Sequence, residues 1–198
     1  IQFLFLPAVV YTYSLHLPPA VFLIAFLMLF AIYWGTLRTR VPLYLSSRKV
    51  WNALESLLPP VQSGKTFSFM DLGCGLGGVL CHLAKSRPDG QFQGIEAAPL
   101  PFALAWLRIK LGGYKNCRIC YGNIWSSDLS RHDVVFAYLS PAPMERLWAK
   151  VTQEMRPGTL FISNTFNVPS HPSPQAYTVG DLHQSTLHIW EMPASSGM

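Results

Sequence analysis

The residues best suited to chemistry lie in one short turn. The run FMDLGCGLGG, residues 69–78, predicts a strand that ends in the pattern D-x-G-x-G-x-G and opens a helix. Glycines at such a turn permit positive φ and let a ligand approach the backbone closely. The spacing differs from the G-x-G-x-x-G pattern of dinucleotide sites, and the acid at the strand end would repel a pyrophosphate and attract a cation. The candidate ligand-binding residues are Asp71, Gly73, Cys74, Gly75 and Gly77, with a purely structural turn as the alternative.

A second acid ends the next predicted strand. Glu96, in the run GIEA, follows Asp71 by 25 residues and precedes Ala97. A carboxylate at this place can accept hydrogen bonds from both ribose hydroxyls of a bound nucleoside. By itself Glu96 would be a solvated strand end. Together with the glycine turn, Glu96 and Ala97 predict a cradle for a positively charged sulfonium nucleoside.

Two further groups follow later strands. Asn123 can accept a hydrogen bond through its amide oxygen, and Ile124 can pack on a ring. The alternative for this pair is an ordinary turn beside a buried Trp125. Tyr138 and Ser140 end the fourth strand, where ligands of open α/β sheets bind. They are the candidate catalytic residues, although Ser140 is equally well placed to cap the following helix.

The elements that must position these residues alternate between strands and helices. Such alternation predicts an α/β fold with a parallel sheet and helices on both faces. Two weaker strands close the chain and predict an antiparallel edge. The predicted strands are residues 66–72, 91–95, 115–121, 133–139, 159–166, 176–179 and 186–191. The predicted helices lie within residues 41–60, 78–86, 99–111 and 142–155, and Ser46 or Ser47 caps the first of them.

The charges divide the chain into two parts. The whole chain is 50% hydrophobic and 13% charged, yet residues 1–37 contain no Asp, Glu, Lys or Arg. This run predicts a transmembrane anchor at residues 1–37, either a helical hairpin that turns at Pro18-Pro19 or one helix kinked there. A cleaved signal peptide and a buried helix are the alternatives. Arg38 and Arg40 follow the anchor, so we expect the domain at residues 38–198 on the cytoplasmic side of the membrane.

The remaining composition excludes several classes of function. The net charge of +5 has no basic stripe interleaved with aromatic residues, so nucleic acid is not an expected partner. Cys117 and Cys120 form a C-x-x-C pair, but no second pair completes a metal site. Residues three apart on a strand point to opposite faces, so neither a metal site nor a disulfide is expected.

These motifs together resemble the class I methyltransferases across residues 41–192. DLGCGLGG, GIEAAP, GNIW, SPAP and MRPGTLFISNTF occur in the order of that family. More narrowly, the chain resembles bacterial relatives of the membrane-anchored lysine methyltransferases. The mitochondrial members of that group act on the ATP synthase c subunit and the adenine nucleotide translocase. This narrower resemblance rests on the apolar leader, the run Val41-Pro42-Leu43-Tyr44 and the motif that ends in Ser140-Pro141.

The resemblance implies a Rossmann-like fold with a mostly parallel seven-stranded sheet and S-adenosyl-L-methionine as cofactor. It implies methyl transfer to a lysine of a membrane protein, in a bacterial inner membrane, with the lipid bilayer as a partner. A lipid or lipophilic small molecule is the alternative acceptor, and a non-catalytic cofactor-binding scaffold is the third possibility. Two positions depart from the family pattern. Asn123 replaces the usual acid near the adenine, and Ser140 replaces the Asp or Asn that many N-methyltransferases carry before Pro-Pro.

Overall fold

A computed structural model of the chain describes residues 18–39 and 44–193. Helices and strands alternate through most of it, as the sequence predicts. The helices are α1 Pro19–Thr39, α2 Arg48–Ser56, α3 Gly78–Ser86, α4 Pro99–Gly112 and α5 Met144–Glu154. The strands are β1 Phe67–Leu72, β2 Gly90–Glu96, β3 Cys117–Tyr121, β4 Val134–Ala137, β5 Leu160–Asn164, β6 Gln175–Thr178 and β7 Thr186–Glu191.

The seven strands form one sheet in the order β3-β2-β1-β4-β5-β7-β6. Strands β1 to β5 pair in parallel, whereas β7 runs antiparallel to both β5 and β6. The chain reverses its direction of strand addition between β1 and β4, and the carboxyl ends of these strands are where ligands of such sheets bind. The predicted α/β fold with an antiparallel edge is therefore confirmed.

The sheet separates two hydrophobic cores, because successive side chains of a strand point to opposite faces. Phe69 and Phe136 enter one core with residues of α2 and α3, and Met70 and Val135 enter the other with residues of α5. These four side chains are at most 1% exposed. Burial of each such side chain contributes about 1.5–3 kcal/mol. Strands apolar on both faces thus hold the carboxyl edge of the sheet rigid.

The observed elements correct several predicted boundaries. Helix α2 has Ser47 as its N-cap, with the Oγ accepting from the Val50 N–H at 3.3 Å, and this confirms the predicted cap. Helix α5 begins at Met144, and its N-cap is Pro143. The prediction that Ser140 caps this helix is therefore wrong: Pro141 and Pro143 lack the N–H groups that a helix beginning after Ser140 would present.

The apolar N-terminal segment is described only from Pro18 onward. Helix α1 begins at Pro19, where the missing N–H of proline costs nothing, and its side chains from residue 21 to residue 30 are exposed. The helix lies against α4. Within residues 18–39 and 44–193, no helix has both the length and the apolar character needed to cross a membrane. The predicted anchor also includes residues 1–17, which lie outside the described residues.

The cysteines behave as the strand pattern predicts. Cys117 is buried and Cys120 is exposed, because they lie on opposite faces of β3. In the described part of the chain, no group of His, Cys, Asp and Glu side chains could hold a metal ion.

Candidate active site

The glycine turn after β1 takes the conformation that its residue types allow. Gly73, Gly75 and Gly77 have φ of 77°, 54° and 68°, values that side chains with a Cβ rarely adopt. The turn is fastened to β2, since the N–H groups of Gly73 and Cys74 both donate to the Ile95 carbonyl, at 2.9 and 3.1 Å. The backbone of the turn is thereby fixed beside the carboxyl end of β2.

The glycine turn lies so close to β2 that the strand has no room for a side chain at Gly94. A Cβ at Gly94 would come within 2.7 Å of the Cys74 Sγ and 2.5 Å of Leu80. Cys74 is 8% exposed, and burial raises the pKa of its thiol well above the ordinary value. Cys74 thus fills space as a neutral thiol, while its backbone belongs to the predicted cradle.

Glu96 points into the turn. It is 8% exposed; its Oε2 accepts from the Gly75 N–H at 2.9 Å and its Oε1 from the Ala98 N–H at 2.7 Å. The alternative reading of Glu96 as a solvated strand end is therefore wrong. Each carboxylate oxygen can accept a second hydrogen bond. The two main-chain donors therefore orient the carboxylate and leave it able to accept hydrogen bonds from a ligand. Ala97 lies half-buried beside this carboxylate.

Asp71 supplies a second acid beneath the turn. It is 3% exposed, and its pKa is raised from 3.8 to about 8, first by burial and then by the negative charge of Glu96. A buried acid of this kind holds its proton at neutral pH until a nearby positive charge favours the ionised form. The pair of Asp71 and Glu96 therefore favours a cationic ligand over an anionic one.

The loop after β3 is a single turn of 3-10 helix, Ile124–Ser126. Asn123 caps this turn, its Oδ1 accepting from the Trp125 N–H at 3.1 Å. Ile124 and Trp125 are half-buried and pack against one of the two cores. This local geometry fits the alternative interpretation, in which Asn123 is a turn residue next to a packed tryptophan. The contact of Asn123 and Ile124 with an adenine remains a prediction.

The candidate catalytic residues lie on the other side of the turn. Tyr138 is partly buried, and it borders a cavity of about 210 Å³ that Asp71 and Gly73 also line. Ser140 is 6% exposed and follows two residues later. The structure therefore brings Tyr138 to the cavity beside the cofactor turn. The catalytic roles of Tyr138 and Ser140 remain predictions.

Three residues that the sequence analysis did not single out as site residues also line this cavity: Tyr44, Trp51 and Arg108. Trp51 packs over the turn, where a Cβ at Gly78 would lie 2.6 Å from its ring. Arg108 donates to the Leu76 carbonyl at 3.3 Å, and its guanidinium suits a carboxylate ligand. These residues come from α2, α4 and the segment before α2, so no local motif could have identified them.

The comparisons with known proteins agree with this geometry. Residues 71–175, just over half of the chain, match the family model of the ANTKMT methyltransferase domain. The chain belongs to this family. A protein-lysine N-methyltransferase of Saccharolobus islandicus is 30% identical to this ANTKMT-family domain over 99 residues. The alignment covers 50% of this chain and 62% of that protein, so the chain spans less than two thirds of its relative.

Solved structures of other methyltransferases share the fold. An RNA methyltransferase from Salinibacter ruber, in complex with S-adenosyl-L-homocysteine, superposes with a TM-score of 0.66 at 22% identity. That match covers 78% of this chain and 96% of the other. A precorrin-6y C5,15-methyltransferase from Geobacter metallireducens gives a TM-score of 0.57 at 17% identity, over 74% of this chain and 90% of the other. At these identities the likeness concerns the fold alone.

The chain carries a domain of the ANTKMT methyltransferase family, as the sequence predicts, and S-adenosylmethionine is the expected cofactor. Its residues fit this cofactor. The backbone of the glycine turn leaves room for close approach, Glu96 presents a fixed carboxylate, and Asp71 accommodates positive charge. Arg108 adds a cation that suits the carboxylate of the methionine portion.

Proposed function

We propose that the chain is a membrane-attached methyltransferase that transfers a methyl group to lysine side chains of membrane proteins. The observation that carries the lysine specificity is the 30% identity to a protein-lysine N-methyltransferase, over an alignment of 99 residues. Membership of the ANTKMT methyltransferase domain family supports the same reaction class.

The chain contributes mainly binding and orientation to this reaction. Bound S-adenosylmethionine supplies a methyl group on a positively charged sulfur. Glu96, fixed by the N–H groups of Gly75 and Ala98, accepts hydrogen bonds from the ribose. Asp71 lies beneath the turn, where its ionised form is favoured by positive charge. Tyr138 borders the same cavity and would orient the acceptor amine toward the methyl group.

The acceptor lysine must lose a proton before it can act as a nucleophile. At pH 7 this costs about 4.6 kcal/mol for an ordinary lysine with a pKa near 10.4. Bound S-adenosylmethionine would lower this cost, because a nearby positive charge disfavours the ammonium form of the lysine. Tyr138 and Ser140 are the candidates by position to receive the proton.

Membrane attachment is supported by the apolar surface at the N-terminal end. Residues 1–37 carry no charged side chain, and the described side chains of α1, at residues 21–30, are exposed. Helix α4, against which α1 lies, exposes a further apolar face at Leu104, Leu107 and Leu111. Exposed apolar faces of this size are typical of surfaces that contact membranes or partners.

Basic residues support the orientation of the domain. Arg38 and Arg40 follow the apolar segment directly, and Arg48 and Lys49 precede the first acid of the chain, Glu55. Near an anionic leaflet each of them adds about 1 kcal/mol of attraction. On the positive-inside rule the domain lies on the cytoplasmic side of the membrane. Such attachment confines the active site to the surface where membrane-protein lysines are presented.

The acceptor is tested with the full chain in detergent, radiolabelled S-adenosylmethionine and a membrane extract. We expect label in protein and its recovery as methylated lysine after acid hydrolysis. Glu96→Ala is the inactive control, and Glu191→Gln, at the exposed end of β7, is the matched active control. Label confined to lipid would reject lysine as the acceptor, and no transfer to either fraction would reject the enzymatic function.

Membrane attachment is tested by carbonate extraction of cell membranes that contain the full chain. We expect the chain to stay in the pellet, and the double substitution Leu23→Lys and Leu27→Lys to release it, since both side chains are more than half exposed on α1. Leu182→Lys is the control, because Leu182 is 94% exposed in the β6–β7 connection. Release of the unsubstituted chain would contradict the proposal.

A further inference from the structure

The two faces of the sheet are covered unequally. Residues of α2, α3 and α4 join the core on one face, whereas among the described residues α5 is the one helix whose side chains join the core on the other face. The connection between β3 and β4 contains a single 3-10 turn, Ile124–Ser126. Leu129 of this connection joins the same core as Leu72 and Ile95, near the carboxyl ends of β1 and β2.

Polar side chains lie on this second face at the amino-terminal halves of β1, β2 and β3. Ser68 lies in register with Gln91, and Gln93 lies in register with Arg118. Residues two apart on a strand, and residues in register on neighbouring parallel strands, point to the same face. Ser68 therefore shares a face with Met70, which belongs to the apolar core. Polar side chains alone indicate no more than a solvated surface, so the case for a site depends on what surrounds them.

These side chains border a cavity of about 390 Å³, a volume typical of ligand pockets. Its lining includes Gln91, Gln93, Lys115, Arg118, Arg131 and His132. Three of these residues carry a positive charge, and in the described part of the chain no Asp or Glu lines the cavity. A concave site with several cations and no acid attracts anions, because the fields of like charges around a cavity add together.

Two acids close to this cavity in the sequence leave its positive charge largely intact. The Asp128 Oδ2 lies 3.5 Å from the Arg131 Nε, and the two side chains are 58% and 86% exposed, so this pair is screened and weak. The Asp133 carboxylate accepts from the Ser68 N–H at 2.8 Å and from the Arg156 Nη2 at 2.6 Å. Asp133 is thus engaged with Ser68 and Arg156, and the cavity keeps a net positive charge.

Arg118 is exposed, and a neutral partner orients it. Its Nε and Nη2 donate to the Gln93 Oε1 at 3.0 and 2.6 Å. A carboxylate in this place would neutralise the guanidinium, whereas an amide oxygen fixes its direction and leaves its charge uncompensated. The guanidinium has more N–H donors than these two bonds use, and its planar fork matches the oxygens of a phosphate group. Arg118 is therefore held in place for an anionic ligand.

His132 adds a buried polar group to the same lining. It is 8% exposed, and within the described residues its Nδ1 has no hydrogen-bond partner. Burial lowers the pKa of the imidazole below its ordinary value of 6.5, so the ring is neutral at pH 7 and one of its nitrogens carries a proton. Buried polar atoms in proteins nearly always have a partner, and an anion beside His132 would supply one.

We propose that this cavity is a binding site for a phosphate group, held by Lys115, Arg118 and Arg131 with His132 beside it. A phosphate carries more charge and more acceptor oxygens than a carboxylate, so it can engage several cations at once. The group can belong to a lipid head group or to a soluble phosphate compound, because the chemistry of recognition is the same for both.

The phosphate site is separate from the cofactor turn. Asp71 and Glu96 lie at the carboxyl ends of β1 and β2, whereas Ser68 and Gln91 lie near the opposite ends of the same strands. Among the described residues, the two cavities share no lining residue. Phosphate binding here adds a second function to the chain, and it requires neither a particular methyl acceptor nor a particular cofactor.

Phosphate binding is tested by calorimetry on the full chain in detergent micelles at low salt, where charge contacts are least screened. The probes are sodium pyrophosphate, dioctanoyl phosphatidic acid and, as a lipid without net charge, dioctanoyl phosphatidylcholine. We expect pyrophosphate, phosphatidic acid or both to bind, and Arg118→Gln and Arg131→Gln each to weaken that binding about tenfold. Binding of pyrophosphate alone identifies a soluble phosphate compound as the ligand, binding of phosphatidic acid alone identifies a lipid head group, and binding of both shows that the site accepts either.

Lys85→Gln is the matched control, because Lys85 is an exposed cation of α3 that does not line the cavity. It removes the same charge and should leave phosphate affinity unchanged. Affinity for S-adenosyl-L-homocysteine reports the folded state, and both arginine variants should retain it. Absent pyrophosphate binding together with equal binding of the two lipids would overturn the proposal. A phosphate affinity that falls equally in Lys85→Gln, or that survives both arginine variants, would also overturn it.

Discussion

The two halves of the carboxyl edge of the sheet are built in different ways. At β1 and β2, the cofactor half consists of main-chain atoms and two buried acids, Asp71 and Glu96, held by hydrogen bonds within one continuous motif. At β4 and β5, the acceptor half, where we propose that the acceptor binds, consists of partly buried rings contributed by three separate segments. The first half prepares charge and close backbone approach, and the second prepares a neutral, polarisable surface.

This difference has a physical reason. A cofactor of fixed shape is best bound by backbone groups, which cannot change rotamer. An acceptor that is carried by another molecule must enter and leave, and the half that we propose for it borders a cavity. Substitutions at the two halves should therefore affect different measured quantities, and four of them test the comparison.

The largest expected effect concerns the proton on Asp71. Because its pKa is raised to about 8 in the fold, the folded chain keeps a proton that the unfolded chain has already lost above pH 3.8. The free energy of unfolding should therefore fall as pH rises, by about 4 kcal/mol between pH 5 and pH 8. Asp71→Asn should remove this dependence, as measured by urea unfolding of the full chain in detergent.

Asp89→Asn is the matched control for this measurement. The contact of Asp89 with Arg87 at 2.7 Å lowers the pKa of the carboxyl, so its contribution to stability changes only in more acidic solution. The fall between pH 5 and pH 8 should persist in this variant. Parallel stability curves for the native chain and Asp71→Asn would show that the buried acid does not set the pH dependence.

Next in size is the effect of Glu96 on cofactor affinity. Glu96→Gln replaces one acceptor oxygen with an NH₂ group, which cannot accept from the N–H of Gly75 or Ala98. Binding of S-adenosyl-L-homocysteine should weaken about 10- to 100-fold, measured by calorimetry. Glu191→Gln, at the exposed end of β7, should change nothing. An undiminished affinity in Glu96→Gln would break the assignment of the cofactor half.

A smaller effect is expected where the acceptor half is fastened. Ser47→Ala removes the N-cap of α2 and the hydrogen bond to Asp181. The free energy of unfolding should fall by about 1–2 kcal/mol, and KM for the acceptor should rise, while cofactor affinity stays unchanged. Ser56→Ala is the control, since Ser56 donates only to a carbonyl of its own helix. An equal loss of cofactor affinity would mean that the two halves are not separable.

The smallest effect concerns the strained residue before Phe166. Asn tolerates the left-handed conformation better than a β-branched residue, so Thr165→Asn should raise the free energy of unfolding by about 1 kcal/mol or less. Thr178→Asn, in the regular strand β6, should lower it slightly, because Asn is disfavoured in strands. A loss of stability in Thr165→Asn would show that Thr165 is not strained.

The sequence indicated most of the fold, because its local signals agree with the tertiary structure. Helix α2 begins after Ser47, and β7 spans Thr186–Glu191, as predicted. Strand ends were less accurate: β4 ends at Ala137, since the chain must turn before Pro141. The anchor at residues 1–37 and its relation to the membrane remain predictions.

The candidate site likewise has one part that local sequence patterns indicate and another part that they do not. That the glycine turn and Glu96 lie together could be predicted from sequence, because D-x-G-x-G-x-G and the acid of the adjacent strand are local patterns that adjacent parallel strands bring together at one edge. The position of Tyr138 near the same cavity followed from its place at a strand end, and its catalytic role stays a prediction.

What the amino-acid sequence determined by itself was the alternation of strands and helices, the glycine turn and the two acids, because each depends on neighbouring residues and on the period of a strand or helix. Only the tertiary structure brought Tyr44 and Phe166 to Tyr138, although 122 positions separate the first two in the chain. Side-chain contacts over such a separation depend on how whole layers pack, and no local pattern of residues encodes them.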